Sequence, residues 1–360
     1  MKPVYLVGEM GRGGQERQLR YLLLEWRKLN QPCGLIIWVT NKEYDADLKE
    51  LLEAGVDVLS LESIGLINKF RLGRKFIKSN GGTLLHSYTF YLNFYTSILG
   101  WLCGIPAIGG IRNRLLITLE LSGQMRFILS SLFPRKKIAN NRLYQRDLRF
   151  PFSNWMYKNT QIVTNQLDMK NRPLVPVNPK NPIQSCSVAR LYAEKDIPML
   201  IEALRRAKLA GFKFKHRHAG KGPLLDTLLS QVALAGLDED VEFVGELENT
   251  KEFVQSADIF LHSARSEGYP NVIMEALANG RPVLTTQCGD AEDLVQNGVN
   301  GYCVPVGDIG TYTEQLKLLL QNPEGLRKMG SESYRIAMEN FNLTKLAHDT
   351  RQAYFNFEIE

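Results

Sequence analysis

The sequence of 360 residues has few cysteines, and their spacing indicates no covalent or metal-bound framework. Its five cysteines are far apart and none forms a C-x-x-C pair. Neither a disulfide-rich secreted domain nor a zinc site is therefore indicated, and a reducing compartment is expected. The N-terminus lacks the length and the cleavage pattern of a signal peptide, so we expect a cytoplasmic protein.

Long apolar runs, repeats and low-complexity tracts are also missing. One stretch, between His86 and Arg112, carries no charge, but glycines and a proline interrupt it. That pattern is typical of a buried helix followed by a strand and disfavours a membrane span. Hydrophobic residues make up 44% and charged residues 23% of the chain, which indicates a globular protein long enough for two domains.

The net charge of +6 hides an asymmetry between the two halves. Residues 1–180 contain 26 Lys and Arg against 13 Asp and Glu, whereas the remainder contains 18 against 25. A basic first half is expected to meet an anionic partner. Residues 115–133 are predicted to form one apolar helix that ends beside the basic residues 135–137. Such a helix either binds peripherally to an anionic membrane surface or packs against other helices, and the sequence leaves both open.

Nucleic acid is not an expected partner, because no recognisable nucleic-acid-binding module accompanies the charge. A metal site is not expected either. His216 and His218 alternate in one predicted strand without carboxylates or cysteines at a suitable spacing.

Short apolar runs alternate with helical patterns along almost the whole chain, which is typical of parallel sheets covered by helices on both faces. In the first half, strands are predicted over residues 4–9, 34–40, 56–61, 83–88, 106–111 and 161–166. A proline-rich stretch follows, and the alternation then restarts with strands over residues 184–191, 212–220, 241–245, 257–263, 282–287 and 301–306. We therefore predict an α/β protein with two Rossmann-like domains facing across a cleft.

The densest polar signal is the segment HSARSEGYPNVIMEALANGRPVLTT, residues 262–286, which is predicted as strand, loop, helix and strand. Glu267 lies in the loop, and Glu275 follows eight positions later in the first turns of the helix. Carboxylates accept paired hydrogen bonds from neighbouring hydroxyls, such as those of ribose or of a sugar ring. The backbone amides of Tyr269, Asn271 and Val272 are predicted at the helix N-terminus, a position that favours a phosphate.

This segment resembles the E-x7-E signature of retaining glycosyltransferases with the GT-B fold, in particular glycosyltransferase family 4. The segments SVARLYAEKD, HAGKGPL, VEFVGEL and CGDAEDLVQNGVNGYCVPVGD resemble further parts of that family in the same order, so the resemblance covers about residues 186–308. It implies a hexosyltransferase that uses a nucleotide-sugar donor, with UDP as the expected nucleotide and no cofactor or metal. The expected acceptor is a glycan or a polyprenyl-diphosphate-linked sugar in bacterial surface polysaccharide biosynthesis.

The resemblance also implies domain boundaries. An N-terminal acceptor-binding domain would span residues 1–170, a linker 171–183 and a C-terminal donor domain 184–340. Residues 341–360 would form a helix that crosses back to the first domain.

By the same resemblance, Arg190 and Lys195 would hold the donor diphosphate, Glu275 the ribose hydroxyls and Glu267 the hydroxyls of the transferred sugar. A guanidinium and an ammonium group would neutralise the leaving group as negative charge develops. The turn at Gly220 and Gly222 would let the backbone approach the nucleotide. The remaining donor-loop residues are those between the two glutamates, Gly268, Tyr269, Pro270, Asn271 and Val272.

In the N-terminal half, the segment GGQER resembles the family loop that reaches toward the donor phosphates and the acceptor, and it contains Gly13, Gly14 and Glu16. It is not G-x-G-x-x-G, so it does not support a dinucleotide cofactor. His86 ends a predicted strand and is expected to face the cleft, where the family commonly has a histidine near the transferred sugar. Histidines near strand ends are also often structural, and the sequence leaves both roles open.

Two further basic residues follow the predicted strand 106–111. Arg112 and Arg114 either meet an anionic acceptor or form a solvated pair, and the sequence leaves both open.

Two departures from the family pattern bear on the acceptor and the sugar. The chain has NQLDMKNRPLVPVNPKNP in place of the usual NG(I/V)D segment, and Gly289-Asp290 where two glycines are common.

Two alternative functions remain at this stage, a nucleotide-sugar 2-epimerase and a non-catalytic sugar-nucleotide-binding module.

Overall fold

The computed structural model describes residues 1–11, 13–39, 45–61, 64–112, 123–142, 158–170 and 172–358. The chain divides into two compact units. Unit 1 contains Met1–Gln166 together with Leu343–Glu360, and unit 2 contains Leu167–Asn342.

Unit 1 is built on a parallel sheet with the strand order β3-β2-β1-β4-β5-β6-β7. Its strands are β1 Pro3–Val7, β2 Gly34–Ile37, β3 Asp57–Ser60, β4 Leu84–Ser87, β5 Ala107–Ile111, β6 Lys137–Ala139 and β7 Thr160–Ile162. The helices between them are α1 Gly14–Lys28, α2 Asp45–Glu53, α3 Leu66–Ser79, α4 Asn93–Cys103 and α5 Gln124–Leu132.

Alternation along the strands creates a separate core on each face of this sheet. On one face, Tyr5 and Val7 pack with Trp26 of α1 and with Leu51 of α2. On the other face, Val4 and its neighbours pack with Ile77 of α3 and Leu99 of α4. Helices therefore cover both faces, as the alternating sequence predicts.

Unit 2 repeats this plan with the strand order β10-β9-β8-β11-β12-β13, again all parallel. Its strands are β8 Ile183–Val188, β9 Phe214–Ala219, β10 Val241–Gly245, β11 Ile259–Leu261, β12 Val283–Thr286 and β13 Gly301–Val304. Its helices are α6 Ile197–Leu209, α7 Leu225–Leu234, α8 Lys251–Gln255, α9 Asn271–Ala278, α10 Ala291–Leu294, α11 Ile309–Leu320 and α12 Pro323–Asn340.

The last helix, α13 Leu343–Glu358, belongs to unit 1, where it packs on α1 and buries Leu346, Ala347 and Tyr354 in the core. The helical pattern of the sequence extends from about Tyr334 to Glu360. The structure divides this stretch into two helices, because the backbone leaves the helical region at Phe341, which has φ −104° and ψ 122°.

Two other predictions about unit 1 need correction. The single apolar helix predicted over residues 115–133 does not continue through Gly123, whose φ of 75° and ψ of 151° are not helical, and residues 113–122 lie outside the described part. The short strand β6 was not predicted, because its residue Lys137 reads as part of a basic cluster although its side chain is fully buried. No helix in the described ranges is long and apolar enough to cross a membrane.

Candidate functional site

The strand order of unit 2 places a topological switch point between β8 and β11. From β8, the chain runs outward in one direction through β9 and β10, and from β11 in the other direction through β12 and β13. Ligands of open parallel sheets bind beyond the carboxyl ends of the strands at such a point. The residues that follow β8 and β11 are therefore expected to form a ligand-binding site.

Three charged side chains meet at this position. Lys195 Nζ donates to Glu267 Oε1 at 2.5 Å, and His262 Nε2 lies 3.5 Å from the same oxygen. The Lys195 and Glu267 side chains are only 13% and 18% exposed. We call these three residues the charge cluster.

The charge cluster holds its carboxylate ionised. Burial alone would raise the pKa of Glu267, but the Lys195 and His262 charges outweigh it and lower that pKa to about 2. Burial likewise opposes the charge on His262, while Cys288 and Glu267 outweigh it and raise the pKa of the imidazole to about 9. At neutral pH the cluster therefore contains one anion and two cations.

The loop that carries Lys195 is fixed from the β11 side. Ser263 Oγ donates to the Lys195 carbonyl at 2.9 Å. Arg265 donates two hydrogen bonds to Asp196, at 2.7 and 3.1 Å, and its backbone N–H donates to the Glu194 carbonyl. Such a paired interaction fixes geometry as well as charge, so the ammonium group of Lys195 is positioned before any ligand arrives.

His262 is held from its other ring nitrogen. Its Nδ1 lies 2.9 Å from Thr285 Oγ1 and 3.8 Å from Cys288 Sγ, both at the end of β12. Sequence reasoning did not single out His262, Thr285 or Cys288. The available signal was the position of His262, which directly follows strand β11 and precedes the loop with Glu267.

Glu275 lies in α9 and is almost completely buried. Its Oε2 accepts a hydrogen bond from Thr250 Oγ1 at 3.1 Å, just before α8. The helix begins at Asn271 with Pro270 as its N-cap residue and without a side-chain cap. First-turn N–H groups lack intrahelical acceptors and favour an anion, so Asn271 and Val272 lie where the sequence predicts a phosphate-facing helix end.

The loop that follows β12 touches the loop that contains Glu267 and Gly268. A Cβ on Gly289, which has φ 58°, would lie 2.3 Å from the Gly268 carbonyl oxygen and 3.1 Å from the Glu267 Cβ. Only glycine permits this approach. The second family glycine is replaced here by Asp290, which is buried.

Gly220 and Gly222 approach the chain at residues 189–191. A Cβ on Gly220 would lie 1.9 Å from the Ala189 carbonyl oxygen, and one on Gly222 2.5 Å from that of Leu191. The Leu191 N–H also donates to the Lys221 carbonyl. The two glycines therefore shape the segment that carries Arg190, a contact that the sequence reasoning did not predict.

Buried serine and histidine side chains of β8 and β9 form a chain of hydrogen bonds that leads to this segment. His216 contacts Ser185 and Ser187 at 2.9 and 3.0 Å, and His218 contacts Ser187 at 2.6 Å and the Ala189 carbonyl at 3.0 Å. Burial lowers the pKa of His216 to about 3 and that of His218 to about 4. Both imidazoles are therefore neutral, and they support the segment after β8.

Arg190 lies outside the charge cluster. Its guanidinium lies over the Tyr192 ring, 5.1 Å from the centroid, and its Nη2 is 3.8 Å from Glu194 Oε1. The side chain is exposed, in contrast to that of Lys195. The structure therefore brings Lys195 and Glu267 together and leaves Arg190 on the open side of the same segment.

In unit 1, Gly13 is the N-cap residue of α1 and Gly14 its first residue. Glu16 folds back, so that a Cβ on Gly13 would lie 2.2 Å from its Oε2. Gln15 Nε2 donates to the Tyr88 carbonyl at 2.7 Å, which ties this loop to the end of β4. The loop thus lies at the carboxyl edge of the sheet, beside the switch point between β1 and β4.

His86 does not face outward as the sequence analysis expected. Its side chain is completely buried, and Nδ1 lies 2.7 Å from the Tyr354 hydroxyl, which in turn donates to Tyr5. Burial and the nearby Arg112 charge hold the pKa of His86 well below its ordinary value. The position is covered because α13 packs over this part of the sheet, which corrects the expected orientation.

Arg112 directly follows β5 and is 5% exposed. Its guanidinium carbon lies 3.8 Å from the centroid of the Tyr88 ring, yet Nε and Nη1 are buried and have no hydrogen-bond acceptor. This geometry differs from that of a solvated arginine. Arg114, the second candidate, lies outside the described residues.

The two sheets, their strand orders and the charge cluster at the switch point define a protein with two Rossmann-like domains, the architecture of GT-B glycosyltransferases. Residues 171–336 match the model of the family described as "Glycosyl transferases group 1".

Known proteins with similar sequences are glycosyltransferases and a synthase. The amylovoran biosynthesis glycosyltransferase AmsK of Erwinia amylovora is 34% identical over 35% of this chain and 33% of its own length. The N-acetyl-alpha-D-glucosaminyl L-malate synthase of Bacillus anthracis is 29% identical over 38% of this chain and 36% of its own. The match thus spans about a third of the length of each relative.

Among solved structures, Anabaena HepE in complex with UDP-glucose matches with a TM-score of 0.83 and 18% identity, and the match covers all of both chains. This likeness shows the fold. The family model matches unit 2, and the likeness to solved structures extends over both units. Within the described residues, no group of three or more His, Cys, Asp or Glu side chains could hold a metal ion, and metal-free transfer stays a prediction.

Proposed function

We propose that this chain is a retaining glycosyltransferase of family 4 that transfers a hexose-type sugar from a nucleoside-diphosphate sugar, with UDP as the nucleotide. The acceptor is a glycan or a lipid-linked sugar in bacterial surface polysaccharide biosynthesis. The charge cluster carries the proposal, because it places one buried acid and two cations at the switch point of the unit that matches the family model. AmsK supports the biosynthetic role, and HepE with UDP-glucose supports the donor.

Lys195 and Arg190 bind the diphosphate in this proposal. Lys195 supplies a positioned charge, while the exposed Arg190 supplies a long side chain that can turn from Tyr192 toward a phosphate. The first-turn amides of α9 add donors without a net charge. Together they stabilise the negative charge that develops on the leaving group, with no metal ion required.

The two glutamates bind the hydroxyl groups of the donor. A carboxylate has about four acceptor positions, so Glu275 can accept from Thr250 and still bind two ribose hydroxyls. Glu267 remains ionised at neutral pH and accepts from hydroxyls of the transferred sugar. Since Glu267 is used in this way, we assign retention to departure and attack on the same face of the sugar.

An anionic acceptor group is proposed for Arg112. Two buried guanidinium nitrogens without acceptors among the described residues are costly, and a phosphate or carboxylate would supply the missing hydrogen bonds and the counter-charge. Its place at the carboxyl end of β5 puts it at the edge of the sheet where ligands of this fold bind. A diphosphate-linked acceptor has this chemistry.

The donor site is tested by thermal unfolding of the protein with UDP, GDP, ADP and their sugars. A ligand at 100 times its Kd stabilises the folded state by about 2.7 kcal/mol, so millimolar ligand reveals micromolar binding. We expect UDP compounds to raise the Tm of the wild type and of two exposed controls, Glu314→Ala and Arg327→Ala. Glu275→Ala and Arg190→Ala should abolish or strongly reduce that shift.

The reaction is tested by incubating the enzyme with UDP-sugar, with and without a lipid-linked diphosphate acceptor. A transferase forms product only with the acceptor, and NMR of the new linkage gives its anomeric configuration. Conversion of the UDP-sugar in the absence of acceptor would instead indicate an epimerase, and binding without turnover a binding module. If no nucleotide shifts the Tm, or if Glu275→Ala and Arg190→Ala behave like the controls, the donor site is misplaced.

A further inference from the structure

Two described ranges of unit 1 are strongly basic. Residues 64–112 and 123–142 contain eleven Lys and Arg and no Asp or Glu. These residues include the three helices α3, α4 and α5, which lie side by side, because α4 contacts both α3 and α5. We call the outward surface of these helices the α3–α5 face.

The α3–α5 face also exposes large apolar side chains. Ile67 of α3 is 84% exposed, Trp101 of α4 81% and Met125 of α5 72%. Leu66, Leu72 and Ile128 are exposed on the same helices. Single exposed apolar residues are ordinary, whereas a set shared by three adjacent helices marks a binding surface.

Basic and apolar side chains are interleaved on this face. Arg74 Nε donates to the Leu102 carbonyl at 3.1 Å, which places its guanidinium beside Trp101 at the end of α4. Lys75 and Lys78 are exposed on the following turn of α3. Met125 is followed directly by the exposed Arg126.

Four cations on the α3–α5 face have no ion-pair partner among the residues that the structure describes. Within the described part of the chain, Arg71, Lys75, Lys78 and Arg126 form no ion pair. On the opposite face of the same sheet the situation differs, since Arg20 of α1 pairs with Glu50 of α2, and Lys49 with Glu53. Ion pairing among the described residues therefore differs between the two faces of this sheet.

A groove between α4 and α5 adds to this surface. It has a volume of about 450 Å³ and is lined by Phe94, Tyr95, Met125, Arg126 and Leu129, among others. Its lining combines aromatic and aliphatic side chains with Gln124 and the cation Arg126. Such a groove has the chemistry to hold part of a lipid chain below a phosphate group.

We propose that the α3–α5 face docks on an anionic phospholipid surface. Tryptophan and long apolar side chains enter the headgroup region, and each nearby Lys or Arg contributes attraction to anionic lipid. A nucleic acid would neutralise the same cations without burying Ile67, Trp101 and Met125. An acidic protein would need an apolar patch of its own beside its acids, whereas an anionic bilayer supplies both. The proposal does not depend on the nature of the transferred sugar, because docking requires neither donor nor acceptor.

The test is flotation of the full chain with vesicles of phosphatidylcholine alone or mixed with phosphatidylglycerol. We expect binding to the anionic vesicles at low salt, weaker binding at high salt, and little binding to the neutral ones. Lys75→Glu/Lys78→Glu should lower the partition coefficient at least tenfold, because attraction is about 1 kcal/mol per basic residue. The double variant Lys28→Glu/Lys49→Glu changes the net charge equally on α1 and α2 and should bind like the wild type.

A second variant tests the apolar part of the contact. Trp101→Ser removes an exposed side chain, so its Tm should equal that of the wild type while its binding to anionic vesicles falls several-fold. Equal losses in both double variants would mean attraction to the net charge alone and would overturn the proposal. The proposal would also be overturned if the protein bound a short DNA duplex and failed to bind anionic vesicles. Because UDP binding is measured separately, failure of docking and failure of the donor site are distinguishable.

Discussion

Replacing Glu267 by glutamine removes the only anion of the charge cluster and preserves the size of the side chain. Lys195 Nζ and His262 Nε2 then remain near one another, 2.5 and 3.5 Å from a neutral amide. Removing one partner of a buried ion pair is strongly destabilising, because the remaining charge stays buried without compensation. We therefore expect Glu267→Gln to destabilise unit 2 as well as to abolish transfer.

The size of the expected loss of stability follows from the pKa of Glu267. A carboxyl pKa lowered from 4.5 to about 2 corresponds to about 3 kcal/mol of stability at neutral pH. With 2–4 °C of Tm per kcal/mol for a unit of this size, the variant should unfold roughly 6–12 °C below the wild type. Because the folded pKa is depressed, the contribution is present above the ordinary carboxyl pKa and is lost as the pH falls toward 2.

At basic pH, stability is lost as the pH rises, because His262 loses its proton. The pKa of His262 is raised to about 9, so its contribution is complete below its ordinary value of 6.5 and is lost as the pH rises through 9. Cys288 contributes more than Glu267 to the raised pKa of His262, so Glu267→Gln should remove only part of this contribution at neutral pH.

Calorimetric unfolding between pH 3 and pH 10 measures this difference. Glu242→Gln, which breaks the exposed pair with Arg217, is the matched control and should cost less than about 1 kcal/mol. Equal Tm values for Glu267→Gln and the wild type at pH 7 would refute the preformed ion pair. A difference that does not change with pH would refute the assignment of charge to it.

Two further substitutions test the surroundings of the site. Gly220→Ala places a Cβ 1.9 Å from the Ala189 carbonyl oxygen and should abolish the UDP-induced shift in Tm. The control is Gly298→Ala, where φ is 76° and nothing lies within 4 Å, and it should cost only about 1–2 kcal/mol of stability and retain the shift. A UDP-induced shift in Gly220→Ala would contradict the role given to the turn. Arg281→Met leaves the Ala257 and Asn279 carbonyls unpaired and should lower stability by about 3 kcal/mol in chemical unfolding, and a neutral effect would show that these hydrogen bonds contribute little.

The sequence was sufficient for the fold class, because each strand is a short apolar run bounded by turn residues. Most strands of both sheets lie within a few residues of their predicted positions. The exceptions have local causes. Lys137 is buried in β6 although its neighbours are basic, and Gly123 interrupts a segment whose apolar spacing alone predicts a longer helix.

The site was predictable only where spacing along the chain determines proximity. Glu267 and Glu275 were found because one loop and one helix carry both. The contacts of Glu267 with Lys195 and His262 join residues that come from different strands, and no local pattern specifies their distance. His86 shows the converse, since its strand position was predictable but its burial depends on Tyr354, which lies 268 residues away.

The local charge of the proposed donor site bears on how an acidic half of the chain can bind an anion. With His262 protonated, the charge cluster has a net charge of +1, while the charge of Arg190 is balanced by Glu194 at 3.8 Å. A donor diphosphate would place its negative charge beside these cations. The surface acids of residues 181–360 are screened over about 10 Å at ordinary ionic strength, whereas the buried pair is not. We therefore expect Glu267 to keep Lys195 and His262 charged before the donor binds. When Lys195 turns toward the diphosphate, the ion pair with His262 should keep Glu267 ionised.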